Sequence, residues 1–148
     1  MLIRPFIFQD QLHVIYENGE IECFSVQGSN EKIELQLLGS PLLINFAEKR
    51  LLLAEISPSK VKIYNSEFKL LFMIKQPFSN NVKVTAITSD CILIHDQAKH
   101  IAILTDLGGK FLSSPFPLTQ KGKVTVSNNR VYRIDSFQNK FELDYLKI

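Results

Sequence analysis

The feature that most constrains the fold of this chain is a repeat of about 40 residues. Unrelated strands joined by loops of free length would not keep an even spacing, whereas copies of one structural unit do. Four acidic residues, each ending a short apolar segment, recur at intervals of 38, 41 and 39 positions: Glu17, Glu55, Asp96 and Asp135. The sequence therefore predicts one domain made of four similar units, at residues 2–40, 41–81, 82–121 and 122–148.

Each unit contains a succession of short strands. No segment repeats apolar residues at the spacing of an amphipathic helix, and pairs such as Asn18-Gly19 and Gly108-Gly109 indicate tight turns. The first three units have four predicted strands and the last has three, which gives about fifteen. First strands are expected at 2–10, 41–49, 82–90 and 122–129, second at 12–17, 50–55, 91–96 and 130–135, third at 21–25, 61–64, 101–104 and 141–145, and fourth at 33–38, 70–74 and 111–116.

A four-stranded sheet cannot bury both its faces alone, but a series of such sheets stacked face to face can. Residues 51–54 and 91–94 are almost continuously apolar, which predicts inner strands covered on both sides. Residues 60–63 alternate lysine with apolar residues, which places them nearer the rim. The sequence thus predicts an all-β, β-propeller-like fold of four consecutive antiparallel meander blades, the last one strand short. The alternative is a β-sandwich with Greek-key connections.

Two segments resemble blades of the six-bladed NHL-type or TolB-like propellers. Residues 92–112 read ILIHDQAKHIAILTDLGGKFL and residues 131–144 read VYRIDSFQNKFELD. Blades of those families often show an apolar strand ending in Asp, a turn, a second strand ending near Asp, and then Gly-Lys. Units one and two depart from this pattern, with Glu17 and Glu55 in place of Asp and residues 65–69 in place of Gly-Lys. The chain has no tryptophan and no Gly-His or Trp-Asp signature, so the WD40 type lacks support.

Composition and charge name no partner. The 17 Lys and Arg residues against 15 Asp and Glu residues leave a net charge of +2, which is too small for the broad positive field of most nucleic-acid-binding proteins. No apolar run approaches the roughly 20 residues of a membrane span. The first residues lack a basic region followed by a long apolar stretch, which favours the cytoplasm over secretion.

The repeat acids and one basic cluster are the candidate sites. The repeat acids are expected at equivalent turns of successive blades: Glu17, Glu55, Asp96 and Asp135. They could bind a cation, or they could accept hydrogen bonds from the backbone amides of the turns. The hydrogen-bonding role is favoured because every unit carries the acid. The basic cluster is Lys121, Lys123, Arg130 and Arg133, with Phe116 and Tyr132 nearby in sequence. Some NHL-type propellers bind RNA on such a face, although a solvated rim is favoured here.

The remaining polar residues give no catalytic or cofactor motif. His95 and Asp96 are adjacent, so a strand would point them to opposite faces, and His95 and His100 are expected at the surface or in a turn. His13 lies in an apolar segment and is expected to be packed. Cys23 and Cys91 are expected to be buried free thiols. No metal ligand set or cofactor is predicted.

The function favoured on this basis is a non-enzymatic protein–protein interaction module or scaffold, using a propeller face or an open strand edge. Its partner would be another protein chain, including a second copy that completes a larger propeller. An incomplete last blade exposes a strand edge, and such an edge is a template for pairing. The alternatives are a hydrolase-like or lactonase-like propeller enzyme with a central cation, and an RNA-binding propeller.

Overall fold

The computed structural model describes residues 2–8, 11–16, 18–25, 30–38, 40–45, 51–88, 90–128, 130–137 and 140–147. These residues form β-strands and turns, and none of the segments described is a helix long and apolar enough to cross a membrane. The fifteen strands are β1 (Leu2–Phe8), β2 (Gln11–Tyr16), β3 (Glu20–Phe24), β4 (Asn30–Gln36), β5 (Ser40–Asn45), β6 (Leu51–Ser57), β7 (Lys60–Tyr64), β8 (Leu70–Lys75), β9 (Val82–Thr88), β10 (Cys91–Asp96), β11 (Ile101–Thr105), β12 (Phe116–Pro117), β13 (Lys123–Ser127), β14 (Arg130–Phe137) and β15 (Lys140–Lys147).

The strands form four separate antiparallel sheets in chain order, which we call blades one to four. The first three blades have four strands each, in the orders β1-β2-β3-β4, β5-β6-β7-β8 and β9-β10-β11-β12. The fourth has three strands, β13-β14-β15. Each strand pairs with the next along the chain, so the connections are meanders and not the Greek keys of a sandwich. The predicted succession of four blades, the last one strand short, is confirmed.

The hydrophobic core lies between consecutive blades. One buried cluster joins blades one and two through Ile15 and Leu53, and a second joins blades two and three through Ala54 and Ile92. A third cluster joins blades three and four through Leu93, Leu104 and Val131 among others. Within the part of the chain that the structure describes, no buried hydrophobic cluster joins blade four to blade one.

The contacts between blades give the order of the strands from the inner end of the sheets outward. Strand β9 contacts β5 and β13, so the first strands of neighbouring blades lie side by side at the inner end of the sheets. The second strands come next, between the first and third strands, which agrees with the prediction that they are inner strands. They are the most completely covered, since every residue of β10 is buried. A second strand has a paired strand on each side and a neighbouring blade against its faces, which explains its continuous apolar run.

The fourth strand of blade three is much shorter than predicted. The segment 111–116 forms only an isolated bridge from Phe111 to Thr105, and the strand itself is the dipeptide Phe116–Pro117. Pro115 and Pro117 both lack the backbone N–H that a sheet ladder uses. This blade therefore has a short outer strand.

A five-residue turn recurs in blades two and three although its sequence does not. In blade three the Asp106 carboxylate accepts hydrogen bonds from the N–H groups of Gly108 and Lys110, both at 2.9 Å. In blade two the Asn65 side-chain oxygen accepts from Glu67 at 2.9 Å and from Lys69 at 3.0 Å. Residues 65–69 thus build the turn that Gly-Lys builds in blade three. The Gly108-Gly109-Lys110 segment is a turn, as predicted.

Candidate functional site

Residues of β14 point alternately to the two faces of blade four. Val131 is 1% exposed and belongs to the cluster shared with blade three, and Arg133 Nη1 donates a 2.8 Å hydrogen bond to the Pro117 carbonyl oxygen of that blade. Tyr132 and Ile134 lie between these residues in sequence, so they point to the opposite face. We call this the leading face of blade four, because it is turned away from blade three.

The leading face of blade four is uncovered where the corresponding faces of inner blades are buried. In blades two, three and four the residue before the repeat acid is Ala54, His95 and Ile134. Ala54 and His95 are 0% and 5% exposed, whereas Ile134 is 48% exposed. The inner residues are covered by the following blade, and Ile134 has no following blade within the described chain. A large apolar side chain is therefore left open to solvent at the end of the series.

The register of the sheet shows what surrounds Ile134. It pairs with Lys123 on β13 and with Leu143 on β15, and Tyr132 pairs with Thr125. Directly paired residues lie on the same face of an antiparallel sheet. Lys123 and Thr125 are exposed, and Tyr132 is half-buried. The leading face thus combines an apolar centre with a cationic residue on its inner strand.

Blade one also has exposed apolar side chains on one face at the other end of the series, although Val14 on that face is 7% exposed. Ile15 packs against blade two, so Leu12, three positions earlier in β2, points away from it. Leu12 pairs with Ile7 on β1, and these side chains are 38% and 69% exposed. Ile92, which faces the preceding blade from the second strand of blade three, is 0% exposed. We call the side of Ile7 and Leu12 the trailing face of blade one.

The last blade also has an unpaired edge. Strand β15 pairs with β14 along its whole length, from Phe137 opposite Lys140 to Arg130 opposite Lys147. The described residues place no strand on its other side. Among the described residues, the outward backbone N–H and C=O groups of this edge therefore have no strand to pair with, and such an edge is a template for an added strand.

Asp96 fastens the connection that leads into its own blade. Its carboxylate accepts hydrogen bonds from the Ser79 N–H at 2.8 Å, from the Ser79 hydroxyl at 2.5 Å and from the Lys99 N–H at 3.2 Å. Burial alone would raise the pKa of Asp96, but the hydrogen bonds from Ser79 and Lys99 and the charge of Lys99 outweigh it, so this pKa lies below its usual value. Asp96 is 4% exposed.

Asp135 makes the same arrangement one blade later. It accepts hydrogen bonds from the Thr119 N–H at 2.7 Å, from the Thr119 hydroxyl, and from the Ser136 N–H at 2.8 Å. Burial would raise the pKa of Asp135, but these bonds and the nearby charge of Arg133 lower it below its usual value. Both oxygens of the Asp135 carboxylate accept hydrogen bonds from Thr119, so this side chain holds the connection from blade three to β14.

Glu55 serves blade two in a related way, and Glu17 lies outside the described residues. Glu55 accepts a hydrogen bond from the Leu38 N–H in the preceding connection, and one from the Tyr64 hydroxyl at 3.1 Å. Burial and the charge and hydrogen bond of Glu55 raise the pKa of Tyr64 to about 12. The three described repeat acids therefore bind backbone amides of the connections, and within the described residues no group of three His, Cys, Asp or Glu side chains could hold a metal ion.

The structure divides the predicted basic cluster between two faces. Lys123 and Arg130 are exposed, as is Lys121 in the preceding turn. Arg133 is only 9% exposed and is turned to blade three, where it binds the Pro117 carbonyl. Because Arg133 pairs with Val124 and not with Lys123, it does not share their face. The four cations do not form one surface.

The histidine predictions have mixed outcomes. His95, predicted at the surface or in a turn, is 5% exposed; its Nε2 lies 2.9 Å from the Leu118 carbonyl oxygen between blades three and four. The prediction was wrong because His95 is paired with the Leu118 carbonyl, in the connection between blades three and four, where a surface histidine would be paired with water. His100 is exposed and lies in a turn at φ 56°, and His13 is packed with its ring centroid 5.6 Å from that of Phe68. Cys23 and Cys91 are buried free thiols, as predicted.

Sequence reasoning did not single out Ile134 or Leu12. Apolar residues in apolar strands look like core residues, and only their position in the first or last unit distinguishes them. Aligning the units on their acids would have identified Ile134, because no blade among the described residues covers its face. It would not have identified Leu12, because Leu12 lies five positions before Glu17 and so aligns with Cys91, which is 6% exposed and packs against blade four.

Solved structures similar to this chain are β-propeller proteins. BamB from Moraxella catarrhalis matches with a TM-score of 0.55 at 15% identity, over 97% of this chain and 42% of that one. A streptogramin B lyase matches with a TM-score of 0.55 at 12% identity, over 99% and 54% of the two chains. A virginiamycin B lyase from Staphylococcus aureus matches with a TM-score of 0.56 at 14% identity, over 99% and 56%. The predicted propeller-type repeat fold is confirmed.

These likenesses show the fold alone, since the identities are low. No family model matches the chain, and no curated protein does. The chain spans about half the length of the solved propellers that it resembles, from 42% of BamB to 56% of virginiamycin B lyase.

Proposed function

We propose that this chain is a non-enzymatic protein–protein interaction module, and that it binds another protein chain through the leading face of blade four. The observation that carries the proposal is the 48% exposure of Ile134 at a position where Ala54 and His95 are buried under the next blade. An exposed apolar sheet face with a polar surround is typical of a protein-binding surface.

The chemistry of this face favours a protein over the other candidate partners. An open sheet face with an exposed apolar residue suits a second folded surface better than a small molecule, which is usually enclosed in a pocket. Arg133 is turned away from Lys123 and Arg130, so the row of phosphate-binding cations that an RNA interface needs is interrupted. The described repeat acids, which a cation-dependent enzyme would use as ligands, are engaged by Ser79, Thr119 and Leu38.

The unpaired edge of β15 lies beside this face and adds a second means of attachment. A partner strand could extend blade four through backbone hydrogen bonds while its neighbouring side chains cover Ile134. Main-chain bonds would supply affinity, and the apolar contact would supply selectivity. Both elements belong to the same blade.

A capture experiment with matched variants tests this proposal. Tagged wild-type protein, Ile134→Glu and Leu70→Glu are each used to capture binding polypeptides from the source cells, with equal urea midpoints confirming that all three are folded. Leu70 is the control because it is 50% exposed but lies on the outer strand of blade two.

The expected result is a polypeptide that wild type and Leu70→Glu retain and that Ile134→Glu retains at least about tenfold less, a loss of about 1.4 kcal/mol. The purified polypeptide is then expected to bind wild type and Leu70→Glu directly, and with higher affinity than it binds Ile134→Glu. If every bound polypeptide is indifferent to Ile134→Glu, or none binds directly, the proposal is wrong.

A further inference from the structure

We propose that the partner is a second copy of this chain, and that the leading face of blade four in each copy packs against the trailing face of blade one in the other. Two series of four blades would then close into one ring. This inference rests on the proposed function, since it names the occupant of the same face.

The repeat itself supplies the first argument. Between blades two and three, Ala54 from one sheet and Ile92 from the next belong to a single buried cluster. Ile134 occupies the place of Ala54 in blade four, and Leu12 faces backward from blade one as Ile92 does from blade three. Joining the two ends therefore repeats a contact that the chain already makes, with Ile134 and Leu12 in the roles of Ala54 and Ile92.

Each face carries a charged residue that the other can meet. The leading face of blade four carries Lys123, which is exposed beside Ile134. Glu22, on the trailing face of blade one, pairs with Val14 and with Lys32, and accepts hydrogen bonds from the Tyr16 hydroxyl at 2.7 Å and from the Asn30 side chain. The head-to-tail arrangement brings Lys123 toward the face that carries Glu22.

The size of the faces explains why closure is needed. Strands about 4.8 Å apart and six residues long, at about 3.3 Å per residue, make a face of roughly 20 Å by 20 Å for the four strands of blade one and of roughly 14 Å by 20 Å for the three strands of blade four. One such contact is smaller than most stable interfaces, but the closed ring buries two faces of each kind, roughly 1,400 Å² in all, which is within the range of a standard interface.

The described blades make up about half of a propeller of the kind that this chain resembles. The chain covers 54% of a streptogramin B lyase and 56% of a virginiamycin B lyase, so its four blades leave both end faces for a further set of blades. Head-to-tail contacts either close or continue as open fibres, and closure leaves neither end face exposed.

Light scattering coupled to size exclusion tests the inference on the full chain, from about 1 µM to about 200 µM, a range that brackets micromolar affinity. Wild type and the control Leu70→Glu are expected at twice the chain mass of 16.9 kDa. Ile134→Lys alone and Leu12→Glu alone are each expected to shift the protein to monomer. The double variant with both changes is expected to recover the dimer, because each interface then pairs a lysine with a glutamate.

Each other outcome overturns the ring. A monomeric wild type excludes the second copy as partner, while the capture experiment can still identify a different polypeptide and leave the proposed function standing. A Leu12→Glu variant that stays dimeric excludes burial of Leu12 in the interface, and so overturns the head-to-tail arrangement. A double variant that is folded, by its urea midpoint, and monomeric excludes contact between positions 12 and 134. Masses that rise without limit indicate open fibres. If no captured polypeptide, including a second copy of this chain, binds Ile134→Glu more weakly than wild type, both proposals are wrong.

Discussion

Ser79 donates both its N–H and its hydroxyl to the carboxylate of Asp96, 17 positions later, at 2.8 and 2.5 Å. Thr119 does the same to Asp135, 16 positions later. The repeat acid thus joins the connection from the preceding blade to the second strand of its own blade. This bond holds consecutive sheets in register, and it explains why an acid recurs at this position.

Replacing Asp96 by Ala is expected to lower the free energy of unfolding by about 1 to 3 kcal/mol, because it leaves the part-buried N–H and hydroxyl of Ser79 without this acceptor. Urea unfolding measures the change. Asp90→Ala is the matched control, since Asp90 is exposed in a turn, and it should change stability by less than about 0.5 kcal/mol. Equal effects of the two substitutions would contradict this role of Asp96.

Acid is expected to destabilise the protein through Asp96 and Asp135. Both carboxyls have a pKa below the usual value in the folded state, so the unfolded chain binds more protons in the acid range. The stability that they contribute is complete above the unfolded pKa of about 3.9 and is lost as the pH falls through the lower folded pKa values. Urea titrations at a series of pH values should show this loss in wild type and a flatter profile in the Asp96→Asn/Asp135→Asn variant. Parallel profiles would contradict this role of Asp96 and Asp135 in acid stability.

Gly109→Ala is expected to destabilise the contact between blades two and three. Gly109 lies at φ +87°, where an added Cβ would stand 2.7 Å from the Phe72 Cβ. The left-handed backbone and the overlap together should lower stability by roughly 2 to 4 kcal/mol. Gly108→Ala is the control, because its added Cβ would meet only the Asp106 Oδ1, at 3.5 Å. Thermal unfolding of the two variants should separate clearly, and similar melting temperatures would exclude a close approach to Phe72.

Thr105→Val is expected to stabilise the protein. Thr105 is fully buried, and its hydroxyl is the one buried side-chain polar atom without a hydrogen-bond partner among the residues described. Valine has nearly the same shape and removes an unsatisfied polar group, which should add about 1 kcal/mol to the free energy of unfolding. Thr85→Val, at an exposed position of β9, is the control. A loss of stability specific to Thr105→Val would show that its hydroxyl has a partner.

The sequence by itself was enough to predict the architecture. The even spacing of the repeat acids identified four units, and strand patterns such as 91–96 identified their order. These signals are local, since alternation and turn residues are read from adjacent positions. They predicted the blades in succession and the missing last strand. The sequence did not predict that residues 65–69 form the same turn as the Gly-Lys segment of blade three. Phe68 adopts φ 62°, where glycine is usual, and its ring is packed against His13.

What only the tertiary structure decided is which face each residue presents and what covers it. His95 became a buried hydrogen-bonding residue because the Leu118 carbonyl lies beside it, and Arg133 left the basic cluster because Pro117 offers an acceptor in the neighbouring blade. Ile134 and Leu12 look like core residues in sequence and are exposed because each lies at an end of the series. Burial depends on a neighbour that can be 20 or more residues away, so a local pattern predicts a strand and its two faces but not which face is covered.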